Sequence, residues 1–473
     1  MKNGIFRNIS YNFFYQILIL IIPFITAPYL ARVIGAEGIG TYSYTNSIAL
    51  YFTYFTMLGL NNYGNREIAK CGADIKSRTN TFNELYYCQL MCFVFSLAMY
   101  IVYMIFGAED KKAALLQLIF LFSALFDINW FFFGIEEFKL TVVRNTIVKI
   151  IVVLLVFLFV RDSEDIYLYI FFMCSGYLVS QILLWIFLPK YIEEIKPRKE
   201  GIKKHFINEV KLFIPVIATS IYKIMDKIML GAISNNSEVG YYENAEKIIN
   251  VPIALICAIG TVMLPRISAN IINKKNKESR KFLDTTMFFS LGFSTCFSFG
   301  ILALGEEFSI LFYGKEFAYS GLIMKYLSIT IIFLSIGNVV RTQYLIPNGK
   351  DKEYILSAII GAVINIISNL ILIPIKGAIG AAIGTVLAEI LVCTYQLWHS
   401  KEYINVKKYI HWTVKYVFIG CIMYVVLVKL PDTSLIEMNF VYKMLFGGCI
   451  YFLLVLFIYK ELLSFLKRKL LKK

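Results

Sequence analysis

Stretches of ~20 predominantly apolar residues, parted by short hydrophilic gaps, recur along the whole chain. That pattern restricts it to elements that cross a bilayer. In hydrocarbon each backbone N–H and C=O must be satisfied inside its own segment, so an apolar stretch of this length becomes a transmembrane helix. About fourteen such spans are predicted, starting near residues 9, 41, 84, 113, 143, 166, 211, 248, 284, 321, 353, 377, 412 and 439. With 58% hydrophobic residues and a mean hydropathy of +0.67, the chain has too little polar surface for water and no room for a large soluble domain.

The formal net charge of +15 raises the question of nucleic acid. Lys and Arg, however, concentrate in alternate gaps between spans rather than on one patch, which is the signature of loops held on the cytoplasmic side. Arg66, Lys70, Lys76 and Arg78 fill one such gap, Lys190 to Lys204 the next, and Lys274 to Lys281 a third, with Lys401, Lys407, Lys408 and the tail Lys467–Lys473 following. Roughly 33 cations fall on this side against about 7 on the other, so both termini are expected in the cytoplasm and the number of spans is expected to be even. The first span reads as a retained anchor, because further spans follow it and no small-residue cleavage site does. No nucleic-acid partner is expected.

The longest cytoplasmic gap, near Pro189 to Glu209, falls after six spans, and the text beyond it echoes the start of the chain. Ile34-Gly35-Ala36-Glu37-Gly38-Ile39-Gly40-Thr41-Tyr42 resembles Leu230-Gly231 with Val239-Gly240-Tyr241-Tyr242, each placed after the first span of its half. Six spans per copy keep the same orientation, which predicts a pseudo-two-fold axis along the membrane normal and a central cavity. The expected organisation is all-α: a six-helix bundle over residues 1–205, a second over 206–400, and two further helices with a basic tail over 401–473.

Ionisable residues inside spans are costly and mark wet cavities or ion pairs. In span seven Lys223 and Lys227 share a face at i,i+4, with Asp226 one turn from Lys223, leaving a net positive cluster. In span five Asn145 and Lys149 share a face, and Asp127 in span four is positioned to neutralise Lys149. Asn12 and Gln16 in span one, and Asn365 and Asn369 in span eleven, form i,i+4 polar stripes that either join helices or line a sugar path. Arg32, Arg341, Gln343 and Glu389 complete the set. The cations, Gln16 and the four asparagines are the substrate-binding candidates; Asp226, Asp127 and Glu389 are candidates for a coupling ion, H+ or Na+.

No constellation points to catalysis or a metal. The nine cysteines imply no disulfide framework, and His205, His399 and His411 lack metal-ligand spacing. No Ser/His/Asp set is present, and no cofactor is expected. Gly377, Gly380 and Gly384 form a small-residue face for close helix packing, and not a phosphate loop, because no strand precedes it.

With these residues in view, the chain resembles the Wzx-type polysaccharide repeat-unit flippases of the multidrug/oligosaccharidyl-lipid/polysaccharide exporter superfamily. The resemblance spans nearly the whole sequence. It runs from Pro28-Tyr29-Leu30-Ala31-Arg32-Val33-Ile34-Gly35 through Arg66-Glu67-Ile68-Ala69 to Asp127-Ile128-Asn129-Trp130 with Gly134-Ile135-Glu136-Glu137-Phe138. It continues through Asp226-Lys227 with Leu230-Gly231, Met263-Leu264-Pro265-Arg266-Ile267-Ser268, and Gln343-Tyr344-Leu345-Ile346-Pro347, and ends in Asn365, Asn369, Ile373-Pro374 and the glycine run to Glu389. It implies a plasma or inner membrane protein with a cationic lumen that carries an undecaprenyl-diphosphate-linked oligosaccharide to the outer leaflet, with membrane lipids and other polysaccharide-assembly proteins as partners. A diphosphate needs a net positive lining to offset its desolvation, so residues and resemblance agree on the sign of the cargo. Three alternatives stay open: an organic-cation antiporter of the same superfamily, which would want unpaired intramembrane carboxylates; a lipid II flippase for peptidoglycan, which growth would require; and a membrane polymerase or ligase acting on the same lipid-linked sugars.

Overall fold

The computed structural model describes residues 21–193, 199–273, 276–431 and 436–459. Among these the regular structure is entirely helical: α1 (Ile21–Val33), α2 (Gly35–Met57), α3 (Leu60–Cys71), α4 (Ile75–Phe106), α5 (Lys111–Leu125), α6 (Asn129–Gly134), α7 (Phe138–Phe159), α8 (Ile166–Trp185), α9 (Lys199–Ile233), α10 (Asn236–Ile272), α11 (Asn276–Tyr313), α12 (Ala318–Leu327), α13 (Thr330–Val340), α14 (Asp351–Ser400), α15 (Val406–Lys429) and α16 (Ile436–Ile458). The polar gaps read from sequence begin several of these helices. Asp74 accepts from the Lys76 and Ser77 amides, Asp110 from Ala113, and Asn405 from Lys408, each satisfying N–H groups that a helix start would leave unpaired.

The chain is a multi-pass membrane protein. Eight of the described helices are long and apolar enough to cross a bilayer, and a ninth span forms if the α12 and α13 segments, bent by 45°, count as one. The surface agrees with lipid as the solvent. Ile147, Ile151, Leu154 and Leu158 of α7 are about half exposed at helical spacing, an apolar stripe that water would penalise and acyl chains would cover.

Helix α14 departs from a single rod. Gly377 takes φ 53°, a left-handed conformation open to glycine at little cost, and the helical path reverses there. Residues 351–376 and 378–400 are therefore two antiparallel arms, held by Gln396 Nε2 donating to Ser357 Oγ at 2.9 Å. Gly380 and Gly384 face the first arm so closely that a Cβ at either would collide with the Leu372 carbonyl or the Asn369 side chain. Gly380 and Gly384 thus give the close packing expected of the glycine run, whereas Gly377, expected on the same face, makes the turn instead.

The chain divides into two compact units, Met1–Gly231 with Asn235–Gly240, and Ala232–Ser234 with Tyr241–Lys473. The core of the first stacks Phe82, Trp130, Phe131 and Phe132 from α4 and α6 against Leu60, Tyr63 and Ile68 of α3. In this unit the two echoed glycine segments meet: the Gly40 and Gly240 backbones touch, and Asn236 Nδ2 donates to Thr41 Oγ1 at 3.1 Å. In the second unit α15 and α16 pack on α11, with Tyr451 donating to the Gly292 carbonyl at 2.8 Å and Tyr416, Ile419 and Met423 filling the core.

Candidate functional site

Three polar assemblies lie within the helical cores. The first joins α5, α6, α7 and α8 around Arg144, a residue the sequence reading passed over. Arg144 is 6% exposed and donates to Asn145 Oδ1 at 2.7 Å, Asn129 Oδ1 at 3.0 Å and Gln181 Oε1 at 3.4 Å. Asp127 sits at the end of α5 and accepts from the backbone and side chain of Asn129 at 2.9 and 2.8 Å, with the Arg144 guanidinium acting on its charge. Asn145 also accepts from Ser180 of α8 at 2.8 Å. Asp127 and Asn145 are thus brought together, with Arg144 between them as the cation. Lys149 lies one turn further along α7, half-buried.

The second assembly is on α9. Asp226 is 3% exposed and lies with Ser220 beside Tyr51 of α2; Lys227 is half-buried. Lys223 belongs to the same helix, but its side chain lies outside the described residues, as do Asn12 and Gln16 entirely. Arg32, at the end of α1, is exposed and donates to the Pro28 carbonyl at 3.3 Å.

The third runs through the second unit. Asn365 and Asn369 are fully buried on the first arm of α14, joined by an Asn369 Nδ2 to Asn365 Oδ1 bond at 3.3 Å, and Glu389 is buried on the returning arm. Beyond α13 the helix widens into a π turn over Arg341–Leu345, a form that recurs at functional sites. Arg341 there donates to Asn338 Oδ1 at 2.9 Å and lies over the Tyr354 ring at 5.6 Å. Gln343 on the same turn is buried with neither amide atom partnered. An unpaired buried amide is a costly feature, and a ligand or water would satisfy it.

No group of three or more His, Cys, Asp or Glu among the described residues is arranged to hold a metal. The first and third assemblies combine side-chain amides with a guanidinium, groups able to bind hydroxyls and phosphate oxygens.

A family profile described as "Polysaccharide biosynthesis protein" matches residues 5–271, more than half of the chain. The chain belongs to this family. Its relatives include proteins named as candidate O-antigen transporters in Shigella dysenteriae, 25% identical over 350 residues that cover 72% of this chain and 86% of that protein, and in Escherichia coli K12, 25% identical over 363 residues that cover 75% and 86%. Among solved structures, the lipid II flippase MurJ in an inward closed conformation superposes with a TM-score of 0.76 at 17% identity, covering 97% of this chain and 100% of that one. An inward-facing multidrug-resistance MATE transporter of the MOP superfamily follows with 0.58 at 14% identity, covering 82% and 99%. Family membership and fold therefore agree with the resemblance carried by the Pro28–Gly35, Asp127–Trp130 and Asp226–Gly231 segments.

Proposed function

We propose that this protein is a flippase that carries a lipid-diphosphate-linked oligosaccharide repeat unit from the cytoplasmic to the outer leaflet during polysaccharide biosynthesis, without covalent chemistry on its cargo. Membership of the polysaccharide biosynthesis family, with a fold shared by MurJ, is the observation that carries this reading. The chemistry of the polar assemblies supports it. Amides at Asn129, Asn145, Asn365 and Asn369 suit sugar hydroxyls, and Lys223, Lys227, Lys149, Arg32 and Arg341 are the cations assigned to the diphosphate.

We read fourteen crossings by counting α1, α2, α4, α5, α7 to α11, α12–α13 as one, each arm of α14, α15 and α16, and by starting the first near residue 9 where the apolar run begins; eight or nine of the described helices are long and apolar enough by themselves. On this count residues 1–205 and 206–400 each hold six spans, and 401–473 hold the remaining two. Alternating access would rock the two six-span bundles about a central cavity in the inner or plasma membrane, with both termini in the cytoplasm. Asp226, Asp127 and Glu389 are the proposed ion-coupling carboxylates.

The test is genetic and chemical together. Loss of the protein should abolish surface polysaccharide while lipid-linked repeat units accumulate in the cytoplasmic leaflet. Normal export in its absence would refute the assignment. A MATE-type cation antiporter shares the fold, and efflux of a cationic dye by purified protein in liposomes, without movement of lipid-linked sugar, would favour that reading instead.

A further inference from the structure

The first unit contains a buried titratable cluster that none of the proposed transport residues uses. It forms where the N-terminal part of α9, ahead of the apolar stretch that begins near residue 211, docks on α3 and α4. Glu209 is 1% exposed, and its Oε1 has no hydrogen-bond partner. Four residues earlier, His205 is bound at both ring nitrogens: Nε2 is 3.2 Å from Glu84 Oε2 of α4, and Nδ1 is 2.9 Å from the Tyr63 hydroxyl of α3. Asn208 Nδ2 in turn donates to Tyr63 Oη at 3.3 Å. A single donor chain satisfies all four groups: Asn208 to Tyr63, Tyr63 to Nδ1, and Nε2–H to the Glu84 carboxylate. That arrangement requires a neutral imidazole.

The docking is close. A Cβ on Gly201 would fall on the Glu84 carboxylate, one on Gly59 would press on Leu212 and the Glu209 carbonyl, and Cys88 donates to the Ile202 carbonyl at 3.4 Å. Among the described residues no cation forms an ion pair with Glu209. The charged and titratable groups that act on the pair, among the described residues, are Glu67 and Tyr63 from α3, Glu84, Cys88 and Cys92 from α4, and Lys204 from α9 itself, with Arg66 acting on Tyr63. Of these, Glu67 already serves Lys70 at 2.7 Å and lies 3.5 Å from Arg66.

We propose that this joint is a proton-binding site: Glu209 holds one proton while α9 is docked on α3 and α4, and releases it to solvent when the joint opens. Burial is the cause, since an unpaired carboxylate loses its hydration with nothing in exchange. The same burial pushes the Glu209 carboxyl up to about 8 and holds His205 below its ordinary range despite Glu84. The two groups act in opposite senses. The docked state has its full Glu209 contribution below about pH 4.5 and loses it as pH rises to about 8; the His205 contribution is present above about 6.5 and is lost as pH falls. Between about pH 6.5 and 8 Glu209 governs, and opening should become up to tenfold easier per pH unit.

Infrared difference spectroscopy of the full-length protein in liposomes, between pH 6 and 9, tests this directly. A carboxylic-acid C=O band should disappear with a midpoint near pH 8, be absent in Glu209→Gln, and change its midpoint in Tyr63→Phe. Hydrogen exchange over residues 201–212, corrected for intrinsic rates, should lose protection from pH 6.5 to 8 in the wild type and stay flat in Glu209→Gln. No wild-type band lost between pH 6 and 9, or a band unchanged by both substitutions, would overturn the site. If Glu209→Gln does not accumulate, the wild-type midpoint and its response to Tyr63→Phe decide alone. Neither measurement involves transport, so the identity of the cargo does not enter.

Discussion

Replacing Arg144 by methionine keeps most of the side-chain volume and removes the cation around which α6, α7 and α8 meet. Two short charge-assisted hydrogen bonds are lost, to Asn145 at 2.7 Å and Asn129 at 3.0 Å, with a long third to Gln181 at 3.4 Å. At about 1.5–3 kcal/mol for each short bond the loss would be about 3–6 kcal/mol. Asn129 and Asn145 are only half-buried, and water can reach part of what they lose, so about 3 kcal/mol is expected, roughly a 150-fold shift in the folding equilibrium. Asp127 loses its countercharge in the same step. Arg144→Lys keeps the charge but not the planar fork, and should fall between the two. Equilibrium unfolding in mixed micelles of increasing SDS fraction, followed by fluorescence of Trp130 and Trp185, reads the difference. If Arg144→Met unfolds at the wild-type midpoint, Arg144 does not organise this assembly and the reasoning fails.

Combining Lys223→Ala with Lys227→Ala should abolish export of the repeat unit while the protein stays folded in the membrane, and unchanged surface polysaccharide would remove both lysines from the cargo path. Gly380→Val should open the α14 hairpin and cost about 1–3 kcal/mol, measured in the same SDS titration, whereas Gly448→Ala, which meets nothing within 4 Å, should leave the midpoint unmoved. Lys443, 7% exposed in its side chain, lies 2.9 Å from Glu307, so Lys443→Met should destabilise, and Glu307→Gln in the same chain should recover part of the loss. A double-mutant cycle showing no coupling would refute that pairing.

The apolar runs made the helical membrane architecture legible from sequence because hydrocarbon admits so few alternatives. Spans eleven and twelve were placed within a few residues of the α14 arms, and the glycine run was read as close packing, because small residues at this spacing have little other use. Arg144 escaped notice for a physical reason: it follows Val142-Val143 near the start of α7 and reads as a cation at a span end, while its partners Asn129 and Gln181 lie 15 and 37 residues away. The same distance limited the reading of Asp127, for which spacing offered Lys149 and gave no sign of Arg144, a cation acting on it. Lys443 was invisible too, since its partner Glu307 is 136 residues distant. His205 and Glu84 belong to the same class of contact, 121 residues apart by numbering, and only folding brings them to 3.2 Å. Spacing within one helix can be read from letters; partners across helices need the fold.

The reversal at Gly377 has a consequence for biogenesis. Asn365, Asn369 and Glu389 would each burden a solitary segment leaving the translocation channel, because an uncovered amide or carboxyl meets acyl chains with nothing to bind. Since one residue closes the turn, the two arms can partition into the bilayer as a pre-formed pair, with Asn369 packed against Gly384 and Ser357 bonded to Gln396 before any further helix arrives.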